Sequence, residues 1–250
     1  MNSLLLQVIL GACVAGFVQG LSGFAFGLVA MTFWAWSISP HLAGPLVVFG
    51  SLVGQLLSAG TIRRGFDWRR TQPFLVGGLL GVPLGAALLP HMNQIVFKLI
   101  IGALLTVWCP TMLLIRELPR VTKGGRLADG GVGLIGGVMG GLGGLSGPAP
   151  TLWCTLRGWD KDAQRSVFQS FNLAMQAVTL VVYAMGGLIT REAIGYFAVV
   201  APAILIPSIL GTRLYARFSA TAFRRLVLIL LLISGMVLLA SSVPDLLSPA

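Results

Sequence analysis

The sequence predicts an all-α polytopic membrane protein made of two inverted repeats, each a broken re-entrant helical hairpin followed by three transmembrane helices. Three observations carry that expectation. Hydrophobic residues make up 56% and charged residues only 10% of the 250, where soluble domains carry about a quarter charged residues. Long uncharged runs recur along the chain. A glycine-rich, charge-free Leu-Ser-Gly motif occurs twice, once near the start of each half.

A helix needs about 20 apolar residues to cross a hydrocarbon core of about 30 Å. No Asp, Glu, Lys or Arg precedes Arg63, so the first block has room for a broken element within residues 4–35 and a span over 42–62. Later runs predict spans over 71–89, 94–115, 166–187, 193–212 and 226–243, with a second broken element within 130–156. The chain thus divides into a first membrane repeat at 1–115, a cytoplasmic linker at 116–129 and a second repeat at 130–250. The N-terminus lacks a basic n-region and reads as the start of the first membrane element. Cys13, Cys109 and Cys154 lie in apolar runs without metal-ligand spacing, which fits helix packing and neither a disulfide framework nor a metal site.

The stretch from Gly140 to Pro150 is too rich in glycine and proline for an ordinary helix. Broken backbone at membrane depth is tolerated only where protein or a watery cavity satisfies it, and broken helices wall the sites of many transporters. Gly20-Leu21-Ser22-Gly23 matches Gly144-Leu145-Ser146-Gly147 at a spacing of 124. Gly85 pairs with Gly211 and Phe97 with Phe223 at 126, and Ser51 and Gln55 pair with Asn172 and Gln176 at 121. Collinear matches along both halves indicate an internal repeat.

Basic residues orient the repeats. If each broken element returns to its own side, the loops holding Arg63–Arg70, Arg116–Arg126, Arg157–Arg165 and Arg213–Arg225 share the cytoplasmic side with 15 basic residues, leaving Lys98 and Arg191 outside. That partition obeys the positive-inside rule, and the second repeat is then inverted. The net charge of +10 is therefore read as loop orientation, without nucleic acid as a partner. Trp34, Trp36, Trp68, Trp108, Trp153 and Trp159 mostly lie near run ends, as an aromatic belt does.

A half-helix starting inside the membrane offers free N–H groups and a favourable dipole to an anion. The predicted substrate site therefore gathers Ser22 and Gly23 of the first break with Ser146, Gly147 and Pro148 of the second. Pro148 suits a first helical turn and Ser146 a cap. Gln19, Ser51, Gln55, Asn172 and Gln176 are polar groups inside apolar runs; the spacing of four sets Ser51 with Gln55, and Asn172 with Gln176, on common faces. Gln55 and Gln176 are expected to donate to the anion, and Arg213 to mark the cytoplasmic mouth. Gly77, Gly78, Gly81 and Gly186 read as packing glycines. The acids fall in loops or at run ends, which argues against a buried carboxylate relay. No cofactor or metal is called for. The alternative is an intramembrane serine hydrolase built on Gly-Leu-Ser-Gly, but its base is missing: His41 and His91 lie in outer turns.

With Gly20–Gly23 and the run from Gly136 to Pro148 in view, the chain resembles the TauE/SafE sulfite exporter family over almost its whole length. The resemblance implies a transporter of a small anion, sulfite or an organosulfonate, in the bacterial inner membrane. Its partners would be that anion and the lipid bilayer. The first copy departs from the family's glycine triplet and proline, reading Phe24-Ala25-Phe26-Gly27.

Overall fold

The apolar runs become helices throughout. The computed structural model describes residues 3–23, 25–58, 67–114, 120–121, 124–215 and 220–247. Within them lie α1 (Ser3–Ser22), α2 (Phe26–Trp34), α3 (Pro40–Ser58), α4 (Trp68–Leu88), α5 (Gln94–Leu114), α6 (Gly125–Gly143), α7 (Pro148–Leu156), α8 (Lys161–Met185), α9 (Arg191–Tyr215) and α10 (Ala220–Leu247), with no strand among the described residues. Six of these helices, α1, α3, α4, α5, α8 and α9, are long and apolar enough to cross a membrane.

Each half opens with one long and one short helix. α1 has 20 residues and α2 only 9; α6 has 19 and α7 only 9. The first broken element thus begins with a helix of full crossing length, and its Ser22-Gly23 break lies at the end of that helix. The glycine-rich run also holds more helix than its composition suggests, because Gly140–Gly143 complete α6 and only residues 144–147 are irregular. Both short helices fold back. Trp34 Nε1 donates to the Gln7 carbonyl at 3.3 Å, and the Val121 N–H donates to the Leu156 carbonyl at 2.9 Å, so each element enters and leaves at one end.

Glycine permits this packing. On α4, a Cβ at Gly77, Gly81 or Gly85 would strike the backbone of α6, and one at Gly133, Gly137 or Gly141 would strike α4. The two backbones are in direct contact along a shared small-residue seam. Gly16 and Gly20 of α1 meet Ile204 and Ser208 of α9 in the same way. Gly77, Gly78 and Gly81 are therefore packing residues, as expected. Rising numbers pair with rising numbers in both seams, so α4 runs parallel to α6, and α1 to α9. By contrast α5 and α10 are antiparallel, since Gly102 faces Leu239 while Leu105 faces Gly235.

Exchanging the halves, α1 for α6, α2 for α7 and so on to α5 for α10, maps the most extensive helix contacts onto one another. The α1–α9 contact becomes α6–α4, the α3–α9 contact becomes α8–α4, and α3–α8 and α5–α10 map onto themselves.

Two of the tryptophans are packed inside the protein. Trp34 is fully buried among Phe26 and its neighbours, and Trp108 is 5% exposed with Nε1 donating to the Pro148 carbonyl at 3.1 Å. Each of these two turns its indole inward, where the N–H finds a backbone carbonyl. Asp129 also departs from expectation. It lies within α6, is 5% exposed and accepts from Trp153 Nε1 at 2.7 Å, joining the two arms of the second hairpin.

Candidate functional site

Two glycines set the site. Gly23 has φ 81° and Gly144 φ 72°, left-handed conformations that end α1 and α6 and that glycine adopts without a Cβ penalty. Their N–H groups close the last helical turns on the Gln19 carbonyl at 2.7 Å and the Gly140 carbonyl at 2.6 Å. Their own carbonyls are left pointing out of the helix. Gln55 Nε2 donates to the Gly23 carbonyl at 3.0 Å, and Gln176 Nε2 to the Gly144 carbonyl at 2.7 Å.

The structural repeat at the break is thus Gly23 with Gly144, a spacing of 121 shared by the Ser51/Asn172 and Gln55/Gln176 pairs. The Leu-Ser-Gly match at 124 is offset from it by three residues. Gly144, absent from the predicted site, was therefore reachable by carrying the polar-pair spacing to the break.

Around these glycines the polar side chains have fixed partners. Gln19, fully buried, accepts the Phe26 N–H on Oε1 at 3.0 Å and so caps α2; its Nε2 lies 3.4 Å from the Gly23 carbonyl. Ser22 Oγ accepts from the Ala25 N–H at 3.2 Å. Ser146 Oγ donates to Asn172 Oδ1 at 2.9 Å and accepts from Gln176 Nε2 at 3.2 Å. Ser146 is not the cap of α7: Gly147 holds that position with no side-chain bond. The third residue of α7 is Pro150, which has no N–H to give a cap. With Pro148 and Pro150 both in the first turn, α7 also presents fewer N–H groups than a generic helix start.

Apart from an apolar cavity of about 110 Å³ between α5 and α6, a small polar cavity lies where the halves meet. Ser51 and Gln55 of α3, Asn172 and Gln176 of α8, and Gly147 and Pro148 at the second break line it, together with Gly27, Leu28, Gly144 and Leu145. Its free volume is about 10 Å³, room for roughly one water. Six of the predicted site residues thus converge, while Gln19, Ser22, Gly23 and Ser146 stand behind the wall and hold it. Arg213 is exposed on the last turns of α9, beside the end of α1 and away from the cavity.

The expectation that the glutamines donate into the site is corrected for Gln176. Gln176 Nε2 spends both N–H groups, on the Gly144 carbonyl and Ser146 Oγ, whereas Gln55 Nε2 gives one to the Gly23 carbonyl and has a second left; Gln55 Oε1 and Gln176 Oε1 are buried without a hydrogen-bond partner. Asn172 Nδ2 is unpartnered as well. A buried polar group left unmade costs about 1–3 kcal/mol, and all three belong to residues that line the cavity, which has room for a water.

The hydrogen-bond partners of the Ser146 hydroxyl are two amides, Asn172 and Gln176. His91 Nδ1 pairs with the Ala87 carbonyl at the far end of α4.

A family model described as sulfite exporter TauE/SafE matches residues 8–238. The chain belongs to the TauE/SafE family. Comparison with curated proteins and with solved structures gives no significant match. As a TauE/SafE protein the chain is a multi-pass membrane transporter, and the match covers both halves and both breaks.

Proposed function

We propose that the protein is a secondary transporter that exports a small sulfur-containing anion, sulfite foremost or an organosulfonate, across a bacterial inner membrane. The observation that carries this reading is the shared cavity, whose wall takes Ser51 and Gln55 from one half and Asn172 and Gln176 from the other. In this packing the cavity admits about one water, so an anion would enter it only as α3 and α8 part, and would then sit beside Asn172 near the start of α7, whose dipole favours negative charge. No cation lines the cavity, so release meets no strong ion pair.

The halves, 1–115 and 130–250 about the linker at 116–129, are read as inverted across the bilayer. Antiparallel packing of the exchanged helices α5 and α10 supports this, as does the division of basic residues. An inverted pair around a midplane site gives two alternative closures for one cavity. Arg213 then stands at the cytoplasmic face.

Purified protein in proteoliposomes loaded with sulfite, sulfoacetate, taurine or thiosulfate tests the proposal. Efflux of sulfite above that of protein-free vesicles, reduced by excess internal competitor, is the expected result. Equal leakage for all four solutes with and without protein rejects it.

A further inference from the structure

The turn between α7 and α8 gathers guanidinium groups from three separate segments of the chain. Arg157 follows α7, and its guanidinium carbon lies 5.7 Å from the centre of the Trp159 ring and 6.0 Å from that of Trp153. Arg70, in the first turn of α4, lies 5.3 Å from the same Trp159 ring. Arg120 belongs to the linker, which is pinned here by the Val121 N–H on the Leu156 carbonyl at 2.9 Å; a Cβ at Gly158 would fall 3.2 Å from Arg120 Nε. Attraction to the indole faces holds a guanidinium in place without spending its N–H donors.

Like charges brought together call for a counterion. Arg70 has Asp67 at 3.2 Å, but among the described residues no carboxylate stands at ion-pair distance from Arg120 or Arg157. The other acids of this region have tasks of their own: Asp160 caps α8 by accepting the Ala163 N–H at 2.9 Å, and Asp129 accepts from Trp153 Nε1. Apolar surface stands at the same end of the helices. Trp68 opens α4 and is 56% exposed, and Leu127 in the first turn of α6 is 92% exposed. A free anion has no use for such surface, whereas a phospholipid brings a phosphate for the guanidiniums and acyl chains for the apolar side chains.

Taking this end of α4, α6 and α7 as cytoplasmic, as the inverted arrangement above does, we infer that the 157–159 turn, with Arg70 and Arg120, seats the phosphate of an anionic phospholipid of the inner leaflet. Basic clusters between helices on that side meet a leaflet rich in negative charge. A zwitterionic lipid offers the same phosphate with a cation attached, which the guanidiniums disfavour. The bound headgroup joins the foot of the second hairpin to α4 and to the linker, and so braces the helix pair that carries the Gly144 break.

The test uses the purified full chain in a neutral detergent, with phosphatidylglycerol, phosphatidylcholine or inorganic phosphate added at matched concentration. Retained lipid is counted by native mass spectrometry and stabilisation is read from melts. Phosphatidylglycerol should be retained and raise the melting temperature, while the other two do neither. Arg120→Gln and Arg157→Gln should each weaken phosphatidylglycerol binding about five-fold. Arg120 is exposed on the linker, so its variant keeps the fold; Arg191→Gln, at the start of α9, should bind like the parent. Equal retention of the two lipids, or undiminished phosphatidylglycerol binding in both the Arg120 and Arg157 variants, overturns the inference. Stabilisation by inorganic phosphate equal to that by phosphatidylglycerol also overturns it, in favour of a site for soluble anions. None of these readouts measures flux or touches the central cavity, so their failure leaves the transport reading standing, and absence of sulfite flux leaves lipid binding standing.

Discussion

Gln176 donates through Nε2 to the Gly144 carbonyl at 2.7 Å, and its repeat mate Gln55 does the same to Gly23 at 3.0 Å. Each glutamine replaces the next turn of a helix that stops inside the protein. A carbonyl that lipid cannot satisfy is thereby paired by a side chain from the third helix of its own half.

The two glutamines differ in what depends on them. Gln176 also serves Ser146 Oγ, whereas the Gly23 carbonyl keeps Gln19 Nε2 at 3.4 Å when Gln55 is removed. Gln176→Leu should lower stability by about 1–3 kcal/mol, and Gln55→Leu by less. Thermal unfolding in detergent, followed by tryptophan fluorescence, reads both; the reverse order would show that Gln19 does not support the first break.

At Gly144 backbone and packing act together. Alanine there must hold φ 72° and place Cβ 2.8 Å from Val47 Cγ1 and 3.1 Å from the Val48 nitrogen. Gly187 has φ 69° with open space around it. Gly187→Ala should cost about 1–2 kcal/mol for the left-handed backbone alone. Gly144→Ala should cost more and reduce transport, because α3 must retreat. Matching melting temperatures for the two variants would mean that α3 yields freely.

Much of this was legible in the chain. Charge-free runs predict α3, α4, α5, α8 and α9 to within a few residues, and collinear glycines predict a repeat. The polar residues of α3 and α8 stood out because apolar runs make them conspicuous. What was not legible was which atom of each side chain is spent. Ser146 reads as a cap until Gly147 is found in that position and the Ser146 hydroxyl turned to Asn172 and Gln176, and Gln176 reads as a donor to substrate until the left-handed Gly144 turns a carbonyl toward it. Likewise, glycine content alone does not separate a break from a seam: Gly137 and Gly141 are helical because α4 lies against them, while Gly144 is not.

The seam makes a prediction with its control in the same helix. A Cβ at Gly137 would fall on the Gly78 carbonyl, but one at Gly131 meets nothing within 4 Å. Gly131→Ala should be neutral or stabilising by up to about 1 kcal/mol through helix propensity, while Gly137→Ala should lower the yield of monodisperse protein and its melting temperature. Size-exclusion profiles and melts compare them directly, and a tolerated Gly137→Ala would remove the close α4–α6 contact.

Sidedness follows from inversion. In a background lacking Cys13, Cys109 and Cys154, single cysteines at Ser3 and Ser248 should react with a membrane-impermeant maleimide from outside, and one at Thr122 only after permeabilisation. Thr122 and Ser248 lie outside the described residues, so this measurement is independent of the packing described above. Internal labelling of both Ser248 and Thr122 contradicts the inverted arrangement.

Asp129 decides whether a buried carboxylate takes part in transport. It accepts from Trp153 Nε1 and so holds the end of α7 against α6, a task an amide oxygen performs equally well. Asp129→Asn preserves the acceptor and removes the titratable charge; Asp129→Leu removes both and strands the indole N–H, at a cost of about 1–3 kcal/mol. The expected pattern is wild-type flux with an unchanged pH profile for Asn, and lower stability with reduced flux for Leu. Should Asp129→Asn instead abolish transport while melting like the parent, the carboxylate is a proton carrier, and the second hairpin is more than a scaffold for the break.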